Sequence, residues 1–88
     1  MSYKDVEPVL MKLRSCAMQY PGFISAENLV SEKDHSVVVM TTTWETIGNW
    51  WTWVGSTEMR VLLRQARAAV MGAPRIAAYM IMPTVEWR

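Results

Sequence analysis

Apolar positions along this chain alternate between a period of about 3.6 residues and a period of about 2, and the changes of period mark its elements. Val6, Val9, Leu10, Leu13, Ala17 and Tyr20 fall on one helical face, which predicts a first helix over Asp5 to Tyr20. Asp5 is its expected N-cap, and Pro8 sits in the first turn, where a missing N–H costs nothing. Pro21-Gly22 ends the helix. Phe23 to Val30 then reads as a strand, with Ile24, Ala26 and Val30 on one side and Phe23, Ser25, Glu27 and Leu29 on the other. The polar run Ser31 to His35 predicts a turn. Ser36 to Trp44, rich in β-branched Val and Thr, predicts a second strand that closes an antiparallel hairpin.

Thr46 can cap a short helix through Val54, with Gly55 at its end. Ser56 then caps a longer helix that is expected to run to Met71. Met59, Leu62, Leu63, Ala66, Ala69 and Val70 keep its helical period, while Arg60, Arg64 and Arg67 form a solvated face. Gly72-Ala73-Pro74 stops it, and Arg75 to Met82 predicts a last strand with apolar residues on both faces. The order helix, strand, strand, helix, strand is an α+β layout on an antiparallel sheet. Helices cover one face of such a sheet, yet its strands carry apolar side chains on both. A second copy is the simplest cover for the other face, so a homodimer is expected.

Composition sharpens this picture. Eighty-eight residues make one domain, expected to span 1–88, and 51% of them are hydrophobic, including eight Met and five Trp. Nine basic against eight acidic residues leave no electrostatic footprint for nucleic acid or an anionic membrane. The single Cys16 cannot form an internal disulfide, no signal peptide is visible, and no apolar run approaches the 18 or so residues of a membrane span. A cytoplasmic location is expected. Neither a metal-ligand cluster, a phosphate-binding glycine loop nor a nucleophile elbow occurs. Four of the tryptophans crowd into Trp44 to Ser56, where they must either close a core or line an apolar pocket.

Pro21-Gly22-Phe23 entering a strand, Glu27 within it, Asp34 in the turn, the strand closing on Trp44, and the Trp50-to-Trp53 helix followed by Ser56 resemble the antibiotic biosynthesis monooxygenase (ABM) family. The resemblance runs from Asp5 to Met82. It implies a ferredoxin-like antiparallel sheet with helices on one face, paired sheet to sheet into a dimeric α/β barrel with an apolar cavity in each subunit. The family begins with a central strand, and only Met1 to Lys4 precede the first helix here, so the usual first strand is missing. An upstream start, the last strand or a partner's strand are the alternatives for filling that place. The haem-degrading branch needs a histidine on the long helix, and Ser56 to Met71 contains none.

The cofactor-free branch oxidises phenolic substrates with O₂ and uses an asparagine and a tryptophan four apart on the short helix. Asn49 and Trp53 reproduce that spacing, which places both on one helical face, and they are the candidate catalytic pair. An amide can hydrogen-bond a substrate carbonyl, and an indole can stack on an aromatic ring and donate its N–H. Trp50, Arg75 and Phe23 are the candidate substrate contacts, with Arg75 in the place of an arginine that the branch uses. The branch's tyrosine has no counterpart between Tyr20 and Tyr79. Two functions are therefore expected as alternatives. One is a cofactor-independent monooxygenase for a small aromatic or quinol-like substrate. The other is a non-catalytic dimeric module that binds a small apolar ligand or only assembles.

Overall fold

The computed structural model describes residues 3–69 and 75–81. Its elements follow as a 3₁₀ turn at Tyr3–Asp5, α1 at Glu7–Ala17, β1 at Phe23–Val30, β2 at Val38–Trp44, α2 at Ile47–Val54 and α3 at Thr57–Ala69. Strands β1 and β2 pair antiparallel, from Val30 opposite Val38 to Phe23 opposite Trp44. The α+β layout and the helices packed on one face of the hairpin agree with the sequence.

Helix α1 starts one residue later than its Asp5 cap predicts. Val6 takes the N-cap position and makes no side-chain capping bond. Burial decides the matter: Val6 packs with Val9 and Ala66, and Leu10 and Val38 lie against them. Pro8 stands in the first turn as expected. The helix stops at Ala17, and the chain then bends back through turn bonds from Gln19 N–H to the Cys16 carbonyl and from Tyr20 N–H to the Ala17 carbonyl. Gly22 completes the reversal at φ +82°, a backbone conformation that only glycine adopts without strain.

A register shift between Phe23 and Ser25 corrects the side assignment of β1. The bulge inserts one residue, so Phe23 and Ala26 both face the helices while Ile24 points outward and is exposed. Phe23 meets Trp44 edge to face, with ring centroids 5.5 Å apart at 83°. The main core joins Leu13 and Ala17 of α1, Trp53 of α2 and Met59 of α3, and the Trp44 and Met40 side chains of β2 pack against it.

Caps at the two later helices match the sequence. Thr46 Oγ1 accepts the Asn49 N–H at 3.0 Å, and Ser56 Oγ accepts the Met59 N–H at 3.1 Å. The last strand does not match. Residues 75–81 carry no regular secondary structure, and Ile76, Tyr79, Met80 and Ile81 are all exposed. A strand persists only when a neighbour takes its backbone bonds, and among the described residues nothing pairs with this segment. Met82 and the stretch from Val70 to Pro74 lie outside the described residues.

A Cβ on Gly22 would overlap the Asn49 side chain and would also be held at positive φ. Gly22→Ala should therefore lower stability by about 1–3 kcal/mol. A urea midpoint unchanged from the wild type would contradict this.

Candidate functional site

A cleft of about 1170 Å³ runs between β2, the inner faces of the helices and residues 75–81. Its walls include Leu13 of α1, Trp44 of β2, Trp50 and Trp53 of α2, and Leu63 of α3. Most of the lining is apolar or hydroxyl-bearing, and the charged side chains on it are Glu45 and Arg75. Such a surface suits an uncharged or delocalised aromatic guest better than a strongly hydrated ion.

Trp53 is the side chain on which the polar chemistry converges. It is 4% exposed and stacks on Trp44, with ring centroids 5.3 Å apart at 29°. Its Nε1 is buried and has no hydrogen-bond partner among the described residues. A buried donor left unpaired costs on the order of 1–3 kcal/mol, and an oxygen acceptor on a guest would recover that cost. Trp44, by contrast, donates its Nε1–H to Thr42 Oγ1 at 2.9 Å and so is already satisfied.

The other sequence candidates fall in different places. Asn49 is half-buried but is not among the residues that line the cleft. Its side chain lies against Gly22, and its Oδ1 accepts the Thr46 hydroxyl at 2.7 Å, which completes a reciprocal cap at the start of α2. Trp50 and Arg75 line the cleft. Phe23 is absent from its walls and packs on Trp44 instead. Of the four clustered tryptophans three face the cleft, while Trp51 turns outward, 60% exposed, with its ring against that of Trp50. Glu45 and Tyr79 also line the cleft, although sequence reasoning passed over both. Glu45 was legible as the single carboxylate beside the tryptophan run. Tyr79 was not, because its position depends on the path of residues 75–81.

Away from the cleft, two polar contacts fix the ends of elements. Tyr20 Oη donates to Glu58 Oε2 at 2.7 Å and ties the end of α1 to the start of α3. That bond, with a backbone N–H, holds the Glu58 carboxyl below its ordinary range. The Ser56 hydroxyl pulls the Tyr20 phenol down, but the Glu58 acceptor, desolvation and nearby charge outweigh it, and the phenol titrates above its usual value. In the hairpin turn, the Ser36 hydroxyl and N–H both donate to Asp34 Oδ1, at 2.6 and 3.0 Å, and lower that carboxyl as well. Both carboxyls are depressed in the folded state. Their stabilisation is thus present above the ordinary carboxylate range and is lost as pH falls through the folded values. Glu58→Gln should remove part of the decline in stability between neutral pH and pH 3, read from urea midpoints. An acid limb identical to that of the wild type would show that the Tyr20 bond contributes nothing.

Helix α3 contains no histidine. No group of three His, Cys, Asp or Glu side chains among the described residues could hold a metal ion. No helix among those residues is long and apolar enough to cross a membrane.

The family model described as antibiotic biosynthesis monooxygenase matches residues 4–65. This match takes in the hairpin, α2, the tryptophan cluster and the first part of α3, and it stops short of residues 75–81. Neither the curated proteins nor the solved structures provide a match to the chain.

Proposed function

The chain belongs to the antibiotic biosynthesis monooxygenase family, and on that premise we propose that it is a cofactor-independent monooxygenase for a small aromatic, quinol-like substrate. The observation that carries this reading is the unpartnered indole N–H of Trp53, buried in the wall of an apolar cleft. A phenolic or ketonic oxygen placed there accepts that N–H, while the aromatic body of the guest packs among Trp44, Trp50 and the aliphatic side chains.

Phenolate or enolate formation is the step that makes such a substrate reactive toward O₂. Negative charge then develops on the oxygen, and a donor waiting in a dry site stabilises it far more than water would. Trp53 takes that role. Glu45, an exposed carboxylate on the cleft wall, is the group suited to accept the substrate proton. The substrate supplies the electrons. For an activated methylene, one oxygen atom becomes the product carbonyl, and the other leaves as water with the two methylene hydrogens. Asn49 joins Trp53 in orienting the substrate if its amide turns from Thr46 toward the cleft, and Arg75 and Trp50 bind the far end of the ring system. Phe23 acts by fixing Trp44. The working protein is a homodimer, with the exposed Ile24, Leu29 and Val39 on the outer face of the hairpin covered by the partner.

The bond between Asn49 and Thr46 favours a second reading. If capping α2 is all that Asn49 does, the cleft is a binding site for an apolar ligand without turnover.

Oxygen uptake with a panel of anthrones and quinols separates the two. Trp53→Phe keeps the ring but removes the N–H, and should lower the uptake rate by roughly 100-fold. Arg64→Ala, on the solvated face of α3, should leave it unchanged. Uptake that survives in Trp53→Phe would overturn the assigned donor, and saturable binding without uptake by any member would favour the second reading.

A further inference from the structure

Strand β2 and the turns at its two ends bring the hydroxyls of Ser36, Thr41, Thr42, Thr43 and Thr46 to the cleft. Two of them are already spent as donors: Ser36 on Asp34 Oδ1 and Thr46 on Asn49 Oδ1. Strand alternation divides the other three. Thr42 stands opposite the buried Ala26 and shares its side of β2 with Met40 and Trp44, which pack on the main core. Thr41 and Thr43 take the other side. Thr42 is therefore the inward hydroxyl of this strand, and it is half-buried.

Its oxygen and its proton are used differently. Thr42 Oγ1 accepts the Trp44 indole N–H at 2.9 Å. That bond occupies one lone pair and turns the hydroxyl hydrogen away from the ring, and among the described residues no acceptor takes it. A hydroxyl that already accepts a hydrogen bond is the better donor, because each bond in a chain polarises the next. The cleft thus holds a second unspent donor besides the Trp53 indole. Both donors are placed by one ring: Thr42 bonds the edge of Trp44, while Trp53 stacks on its face with centroids 5.3 Å apart. We infer that Thr42 donates to a second oxygen of the guest, and that the cleft selects aromatics with two oxygens over those with one. Trp53 meets one oxygen and Thr42 the other. Trp44 touches neither and is a positioning residue, since its N–H fixes the direction in which the Thr42 proton points. A guest that lacks the second oxygen takes water from the Thr42 hydroxyl and returns nothing, which is the basis of the selection. The inference rests on the proposed binding of an aromatic guest beside Trp53, but not on its turnover.

Calorimetric titrations under anaerobic conditions test it, with the naphthols and the dihydroxynaphthalene isomers as probes. At least one dihydroxynaphthalene should bind the wild type roughly fivefold tighter, or more, than either naphthol. Thr42→Val keeps the shape of the side chain and removes the hydroxyl. It should erase that gain and leave the naphthol affinities unchanged. Thr42→Ser should restore the gain, which a role in packing alone would not require. A wild type that gains nothing from any second hydroxyl would overturn the inference. So would a gain that survives Thr42→Val, or a loss in that variant shared equally by the naphthols. Failure of every probe to bind would overturn it together with the guest site itself. Oxygen uptake is read separately. A gain that depends on Thr42 without uptake would sink the proposed activity and leave this inference standing, and uptake without the gain would do the reverse.

Discussion

The stack of Trp44 on Trp53 is the contact on which the rest of the structure depends. Trp44 ends β2 and Trp53 lies in the second turn of α2, only nine residues later in the chain, so the stack fixes the angle at which the chain leaves the sheet. Leu13, Ala17 and Met59 pack around it and bring α1 and α3 onto the same face. Removing a ring this size from a core costs about 3–5 kcal/mol. For an 88-residue domain that is a large part of the total.

The same stack accounts for the chemistry proposed for the cleft. Trp44 spends its indole N–H on Thr42, within its own strand. Trp53 Nε1 has no such acceptor among the described residues. Packing that secures the fold therefore leaves one buried polar group unmet, on a side chain that lines the apolar cleft. Stability and function draw on one residue, and a change at Trp53 must be read with a variant that keeps the ring.

Much of the architecture was legible because its signals are local. The β-branched run fixed β2 to within two residues, the polar turn fixed the hairpin, and Thr46 and Ser56 announced the caps that they make. What escaped depends on distant contacts. Val6 displaced Asp5 as the N-cap because Ala66, sixty residues away, buries it. The bulge at Phe23 follows from the demand that both Phe23 and Ala26 reach the helices, which strict alternation forbids. Residues 75–81 have a strand's composition but no backbone partner among the described residues, and composition does not supply one. At the site, the spacing of Asn49 and Trp53 put both on α2, but a helical face is broad. Asn49, in the first turn, bonds the cap residue, while Trp53, one turn on, enters the core.

The most direct measurement is the NMR signal of the Trp53 indole N–H, assigned by its loss in Trp53→Phe. It would be followed while a naphthol or anthrone is titrated under anaerobic conditions. A saturable downfield shift of that proton, with the Trp44 indole little affected, is the predicted result, since an oxygen acceptor on the guest would engage the free donor. A ligand that binds and leaves the Trp53 proton unmoved would contradict the account.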